Sequence, residues 1–253
     1  MITDTALMAG RGLRLMSRSP VMVTATSLMP VALMVLLSMS FGRMVFPGEP
    51  LEVYIQYAAP LYVVMGLIFG GISTAVGAQQ DRTSGFDDRL RTLPMSSVAP
   101  LAGRILADLT RTLVTVVLVT AVAAIMGFRF HNGAVGVLVY VGVALIFAFG
   151  MSWLMVAIAM VSSSPEDAAA GINAIMLLLS FLSTGMVQLH DLPGWAQPVA
   201  RINPVSHVVG ALRDATTAGR PLWGFDAWIT LAWAAGLTAV FGLLAVRRYR
   251  AQR

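Results

Sequence analysis

Three kinds of residue are scarce or missing in this sequence, and each shortage removes a class of function. The 253 residues include no cysteine, which excludes disulfides, thiol catalysis and cysteine-ligated metal sites. There is no lysine either, because all 17 basic residues are arginine. A phosphate-binding P-loop requires a lysine on the phosphates, and a Schiff-base enzyme requires a lysine amine. We therefore expect no ATP hydrolysis and no Schiff-base chemistry from this chain itself.

Charge is the third shortage. Only 11% of the residues are charged and 57% are hydrophobic, whereas about a quarter of the residues in a soluble domain are charged. Long apolar blocks with so few charges indicate that lipid is the solvent. The net charge of +5 could suggest a nucleic-acid partner, but the arginines lie mainly at the ends of the apolar segments, where membrane topology explains them better. No nucleic-acid partner is predicted.

Six apolar segments come close to or exceed the roughly 20 residues that a helix needs to cross a bilayer. They cover residues 21–40, 56–78, 101–126, 135–161, 168–187 and 227–246. The sequence therefore predicts an all-α integral membrane protein, with one transmembrane domain of six helices over residues 1–253.

The arginines also predict the orientation, because cytoplasmic loops carry an excess of basic residues. With the N-terminus inside, twelve arginines fall on the inner side and five on the outer side, which accounts for all 17. Both termini are then cytoplasmic. This requires an even number of spans and agrees with six.

Residues 1–20 are polar and mildly basic. In a helix, Arg11, Arg14 and Arg18 would share one face. This pattern predicts an interfacial helix that lies on anionic membrane lipid. The alternative is a plain positively charged flank of the first span.

The cytoplasmic loop 79–100 carries both signs of charge around apolar residues at helical spacing. Gly85 and Pro94 bracket it, and Phe86, Leu90 and Leu93 are placed at i, i+4 and i+7. The charged residues between them are Asp87, Asp88, Arg89 and Arg91. We expect a short amphipathic helix at the inner surface. A helix bound only to headgroups would favour a net basic charge, so this balanced loop favours a protein partner.

The external connection 188–226 contains Leu192, Pro193, Gly194 and Trp195, and then Asn203 and Pro204. An apolar stretch too short to span lies between them, and Trp195 suits an interface position. This predicts a re-entrant segment of short helices. The alternative is an ordinary external loop anchored by its aromatic residues.

The predicted spans offer little chemistry, because their centres contain no charged residue. Asp108 and Arg111, in the first turns of the third span, are three residues apart and predict a local ion pair near the cytoplasmic surface. The three histidines fall in or beside external loops, without metal-ligand spacing. No cofactor, metal site or catalytic group is predicted. A membrane enzyme and a structural scaffold remain as alternatives to a transport function.

Three stretches together give the sequence a resemblance to a family. They are DDRLRTLPMS at 87–96, GRILAD at 103–108 followed by GFRF at 127–130, and LPGWAQP at 192–198 followed by NPV at 203–205 and ALR at 211–213. In order and spacing, this sequence resembles the type 2 ABC transporter permeases, in particular the daunorubicin-resistance type, which also includes exporters of mycobacterial cell-envelope lipids.

The resemblance implies a partner and a set of contacts. In such permeases the loop that matches 85–96 is a coupling helix, which docks on a separate ATP-binding cassette ATPase subunit. The loop 162–167, with Glu166 and Asp167, is implied as the second cytoplasmic contact, and the N-terminal helix also approaches the ATPase. The segment after span five would dip into the outer leaflet. Many relatives have a glutamate near the start of the coupling loop, where this sequence has Asp81.

The resemblance also implies the function. We expect the permease subunit of an ABC exporter in the bacterial inner (cell) membrane, paired with a second permease subunit, either itself or a sister chain. It would move a hydrophobic drug or a lipid outward with ATP that the separate subunit hydrolyses. A polysaccharide or glycolipid export permease is the nearest alternative, and a non-transport membrane scaffold is the next.

Overall fold

The chain's computed structural model describes residues 2–18, 20–85 and 99–251. Within these ranges the regular structure is helical, without strands. The helices in these ranges are α1 (Ile2–Arg18), α2 (Pro20–Val45), α3 (Leu51–Thr83), α4 (Ala99–Ile125), α5 (Gly133–Val161), α6 (Pro165–Phe181), α7 (Gln197–Ile202), α8 (Pro204–Thr216) and α9 (Phe225–Ala251), with a 3₁₀ turn at Leu189–Asp191.

Five of the described helices are long and apolar enough to cross a membrane. The qualifying segments are Ser27–Val45, Leu51–Asp81, Ala99–Ile125, Gly133–Val161 and Phe225–Arg248. They correspond to the predicted spans one, two, three, four and six. The all-α membrane fold is thereby confirmed.

The fifth predicted span, 168–187, corresponds to α6, which has 17 residues and ends at Phe181. At 1.5 Å per residue, α6 is about 26 Å long, which is the short limit for crossing a bilayer. The Asn203 amide donates hydrogen bonds to the carbonyls of Leu179 and Leu182, at 2.7 and 2.8 Å. These carbonyls would otherwise bond the next helical turn, so α6 stops before the apolar run does.

Helix α3 is the centre of the bundle. Of an 18-residue apolar window within Leu51–Asp81, 72% is buried, compared with 17% of the corresponding window within Phe225–Arg248. α3 contacts α2, α4, α5, α6 and α8, and Tyr54, Leu61 and Tyr62 lie on it fully buried. It also extends beyond the predicted 56–78 at both ends, because polar residues such as Glu52 and Gln79 continue a helix although they do not belong to an apolar run.

Small residues let neighbouring helices approach closely. A Cβ added at Gly150 of α5 would lie 2.8 Å from Ala234 Cα of α9. On α1 and α4, a Cβ at Gly12 would lie 2.6 Å from Ala107 Cβ, and one at Gly103 would lie 2.3 Å from Met8 Cβ. In lipid the hydrophobic effect does not drive helices together, so the van der Waals contacts made by such close approach stabilise their packing.

Candidate functional site

At the predicted cytoplasmic end, α3 leads into the predicted coupling loop. Helix α3 ends at Thr83, and Gly85 has a φ of +70°, a backbone conformation that favours glycine. The helix therefore ends immediately before the predicted loop. The other predicted coupling residues in this loop lie outside the described residues; they are Phe86, Asp87, Asp88, Arg89, Leu90, Arg91, Leu93 and Pro94.

Asp81, which stands near the position of the family's glutamate, ties three helices together. Arg11 of α1 donates to it from Nη1 and Nη2, at 3.3 and 3.2 Å. Arg104 of α4 donates to Oδ2 of the same carboxylate. The end of α3 is thus fixed to α1 and α4 immediately before the loop.

Helix α1 packs against the first turns of α4 through Gly12 and Gly103. Of the three arginines predicted to face lipid headgroups, Arg11 is bonded to Asp81 of the protein itself. Arg14 is exposed on α1, and the side chain of Arg18 lies outside the described part of the structure. The position of α1 on the membrane surface stays a prediction.

The second predicted cytoplasmic contact is a capped helix start that displays two acidic residues. Ser164 is the N-cap of α6 and accepts a hydrogen bond from the Asp167 backbone N–H at 3.1 Å. The Ser163 hydroxyl donates to Asp167 Oδ2 at 2.8 Å. This bond, together with those of Ser164, lowers the pKa of the Asp167 carboxyl. Both Glu166 and Asp167 are exposed, so a negative charge faces outward here.

The two predicted cytoplasmic elements are joined directly. The Gln79 side chain donates from Nε2 to the Ser162 carbonyl at 3.0 Å. The end of α3, the loop 162–167 and α1 therefore share one end of the bundle. The predicted coupling loop continues from the same place.

At the opposite end, the predicted external segment forms a 3₁₀ turn and two short helices. Trp195, in the turn before α7, is 70% exposed, and Leu192, Pro193 and Gly194 precede it without a regular helix. Helix α8, by contrast, is packed into the bundle. Its core-facing residues are at most 1% exposed; they are Val205, Val208, Val209, Ala211, Leu212 and Ala215. Short helices in this segment match the prediction, and their depth in the membrane stays a prediction.

Asn203 organises the start of α8. Its carbonyl oxygen accepts from the Val205 N–H at 2.8 Å, which caps α8 in the usual manner of an N-cap asparagine. Since its amide also caps α6, Asn203 links two helix ends with one side chain. Pro204 follows as the first residue of α8, where its missing N–H costs nothing.

Arg213 fixes the other end of α8, and sequence reasoning missed this role. Its Nε donates to the Tyr57 carbonyl and its Nη2 to the Gly185 carbonyl, both at 2.8 Å. The guanidinium carbon lies 3.5 Å from the centre of the Tyr57 ring. Burial lowers the pKa of Arg213. In the sequence this residue counted only as an external arginine and as part of the ALR motif.

A cavity of about 550 Å³ opens between these elements, and charged side chains that pair with one another line it. His207 Nδ1 lies 2.8 Å from Asp226 Oδ1, and Arg220 Nη1 lies 3.4 Å from Asp214 Oδ1. Burial raises the pKa of Asp214. Because these acidic groups face basic partners, the charged side chains in the cavity wall chiefly link α8 to the segment that leads into α9 and to the start of α9.

A comparison with protein families identifies the family of this chain. Residues 3–216 match the ABC-2 type transporter model. The chain belongs to the ABC-2 type transporter family. ABC-2 proteins of this kind are permease subunits of ABC exporters, so this chain is a multi-pass transport subunit and not an enzyme.

Individual ABC-2 relatives agree over most of the chain. A daunorubicin resistance ABC transporter permease protein, DrrB1, of Streptomyces coeruleorubidus is 31% identical over 91% of this chain and 80% of its own length. A probable doxorubicin resistance ABC transporter permease protein, DrrC, of Mycobacterium tuberculosis is 27% identical over 98% and 89%. A putative transport permease, ycf38, of Porphyra purpurea is 23% identical over 63% and 55%.

Proposed function

We propose that this permease forms half of an export pathway for hydrophobic drugs, and that a separate ABC-type ATPase docks on its cytoplasmic end. The observation that carries the docking site is the convergence of three segments at one end of the bundle. Asp81 binds Arg11 and Arg104, and Gln79 binds the Ser162 carbonyl. A force applied to any of these segments would therefore reach the end of α3.

The location follows from the same end of the molecule. The arginine excess of twelve against five places this end in the cytoplasm, with both termini on that side. We place the protein in the bacterial cell membrane. A second permease subunit, either identical or a sister chain, completes the pathway.

The substrate class follows from the relatives and from the composition. Two relatives are named for resistance to daunorubicin and doxorubicin. The apolar surface of the spans in this chain suits a hydrophobic compound, whether a drug or a lipid, better than a charged polymer. Doxorubicin is therefore the first probe to use.

Co-purification tests the docking site. Tagged permease is extracted from cells that also express a candidate ABC-type ATPase subunit. Two variants are compared with the unaltered chain: Leu93→Asp in the predicted coupling loop and Arg220→Glu at the outer end, where the side chain is exposed. We expect the ATPase to co-elute with the unaltered chain and with Arg220→Glu, and to be lost with Leu93→Asp. Equal co-elution of the two variants would overturn the assignment of the coupling loop.

A further inference from the structure

Inside the bundle, α4 holds a buried ion pair. Asp108 and Arg111 interact as their spacing predicts, and their side chains are at most 6% exposed. At 1.5 Å per residue, Arg111 is about 18 Å along α4 from its start at Ala99. The pair therefore lies deeper in the bundle than a surface ion pair would. An ionisable group at such a place is expensive to keep, and it points to a function.

The hydrogen bonds of this pair are unevenly distributed. Arg111 donates to Asp108 Oδ1 from Nε at 3.0 Å and also from Nη2. The Ser152 hydroxyl of α5 approaches Asp108 Oδ2 at 2.7 Å and the Ala148 carbonyl at 2.9 Å. The third nitrogen, Arg111 Nη1, is buried and has no hydrogen-bond partner among the described residues. A buried donor on a charged group without a partner is destabilising, so another arrangement that supplies an acceptor would be favoured at this atom.

The unpaired nitrogen points at the backbone of α3. A Cβ added at Gly70 would lie 1.6 Å from Arg111 Nη1, so the guanidinium occupies the place of a side chain there. One turn further out, a Cβ at Gly66 would lie 2.6 Å from Thr115 Cγ2. Towards the cytoplasm, a Cβ at Gly77 would lie 3.0 Å from Nη1 of Arg104. The two antiparallel helices thus meet through glycines of α3 and longer side chains of α4.

The spacing on α3 permits a second register. If α3 slid outward by one turn, about 5.4 Å, Gly70 would replace Gly66 opposite Thr115, one glycine for another. Asp81 would move to the level of Gly77, which already lies beside Arg104.

In that register Thr74 would reach Arg111. Thr74 is 7% exposed and lies on the α3 face that contacts α4, because its carbonyl is 3.5 Å from Arg104 Nη1. Its side chain would enter the space now filled by the guanidinium, which must swing aside. The threonine hydroxyl is then an acceptor close to the nitrogen that lacks one.

We propose that Arg111 and Thr74 position α3 in two registers on α4 during transport, with Arg111 Nη1 bonded to the Thr74 hydroxyl in the second. One-turn shifts of one packed element past another are an established kind of switch. The inference rests on the proposed function, because the ATPase at the 79–100 segment would be the source of the movement. Thr74 is a positioning residue in this scheme, without contact to the substrate.

The test uses the permease and its ATPase, purified together and placed in lipid nanodiscs, with ATP turnover as the readout. Thr74→Val removes the hydroxyl and keeps the shape, whereas Thr74→Ser keeps the hydroxyl. Thr112→Val is the matched control, because its buried hydroxyl on α4 has no partner among the described residues. Arg111→Lys keeps the charge for Asp108 but gives up the second nitrogen that would reach α3.

We expect Thr74→Val and Arg111→Lys to lower the kcat for ATP about tenfold, the effect of one lost hydrogen bond to a charged group. The KM for ATP should stay unchanged in both variants, and the melting temperature should stay unchanged in Thr74→Val. Arg111→Lys loses one of its two bonds to Asp108, so its melting temperature should fall. Thr74→Ser and Thr112→Val should turn over ATP like the unaltered complex.

A normal kcat for Arg111→Lys, or equal kcat values for Thr74→Val and Thr74→Ser, would overturn the inference. If Thr74→Val does not fold, Arg111→Lys decides alone. If the unaltered permease adds nothing to the ATP turnover of the ATPase, the proposed function fails and this inference falls with it.

Discussion

Two arginines on α4 lie against the same face of α3, seven residues apart, and they are bonded in opposite ways. Arg104 binds Asp81 of α3, and these side chains are 21% and 18% exposed. Arg111 binds Asp108 of its own helix, and both side chains are buried. Arg104 therefore ties two helices together, whereas Arg111 is bonded only within α4, leaves its Nη1 without a partner among the described residues, and rests on α3.

The two ion pairs differ in how much free energy is needed to break them. A partly solvated ion pair contributes up to about 1 kcal/mol, so the link between Arg104 and Asp81 can open and re-form at low cost. A buried pair is different, because removing one partner leaves an uncompensated charge. The ion pair between α3 and α4, Arg104–Asp81, is thus the one that breaks at low cost. The ion pair within α4, Arg111–Asp108, is costly to break.

Removing the acid from each pair should give the largest contrast. We expect Asp108→Ala to lower the free energy of unfolding by about 3–5 kcal/mol, because Arg111 is left buried and charged. Asp81→Ala should lower it by about 1 kcal/mol or less. Urea titration of each variant in detergent micelles measures both values.

A double variant separates lost charge balance from lost packing. Asp108→Leu combined with Arg111→Leu should recover most of the loss, since apolar replacement of a buried pair is often neutral or stabilising. Equal losses for Asp108→Ala and Asp81→Ala would show that the two pairs are equivalent and would remove the basis of the comparison.

Adding one methyl group to α3 should have the next largest effect. Gly70→Ala forces the Arg111 guanidinium out of its place, and we expect a cost of about 1–3 kcal/mol from overpacking. Gly142→Ala on α5 is the control, because no atom lies within 4 Å of its added Cβ. That change should stabilise the protein by up to about 1 kcal/mol, the helix preference of alanine over glycine. If Gly70→Ala were as stable as Gly142→Ala, Arg111 would not occupy that site.

The effect of salt on stability should also differ between the two ion pairs, by a smaller amount. We expect the stability difference between the unaltered chain and Asp81→Asn to shrink as NaCl rises from about 0.05 to about 1 M, because salt screens partly exposed charges. The corresponding difference for Asp108→Asn should change little, since the buried pair is shielded from ions. The melting temperature in detergent at each salt concentration checks this, and parallel salt dependences would contradict the assigned burial.

The smallest effect concerns the acid outside both pairs. The pKa of Asp167 is lowered by its bonds to Ser163 and Ser164, so the folded chain binds fewer protons there than the unfolded chain. Its contribution to stability is present above the unfolded pKa of about 3.9. It is lost as the pH falls through the lower folded value. Ser163→Ala should weaken this dependence, which the slope of melting temperature against pH below about 4 measures. An unchanged slope would show that the Ser163 bond does not form in solution.

Most of the membrane helices could be predicted from the sequence, because the apolar interior of a bilayer restricts which structures can cross it. A long apolar run must become a helix that satisfies its own backbone, which is why five predicted spans match membrane-length helices. The ends of the helices were less readable. α6 stops at Phe181 because Asn203, 22 residues further on, takes its last carbonyls, and no local pattern announces such a contact.

The bonds at the candidate site were mostly beyond sequence reasoning, with one exception. The Asp108–Arg111 pair follows from helical spacing and was predicted, but its expected place near the cytoplasmic surface was wrong, because both side chains are buried inside the bundle. The links of Asp81 to Arg11, 70 residues away, and of Arg213 to Tyr57, 156 residues away, depend on tertiary packing. The sequence located the charged end of α3 through its resemblance to a family, while the side chains that hold this end in place required the structure.

ATP-driven uptake tests the central claim most directly. Inside-out membrane vesicles would contain the permease alone, the ATPase alone, or both, and the fluorescence of doxorubicin would report its entry. We expect ATP-dependent uptake only when both chains are present, and ATP turnover above that of the ATPase alone. ATP turnover that the permease does not change, together with no uptake, would contradict a transport role driven through its predicted cytoplasmic end.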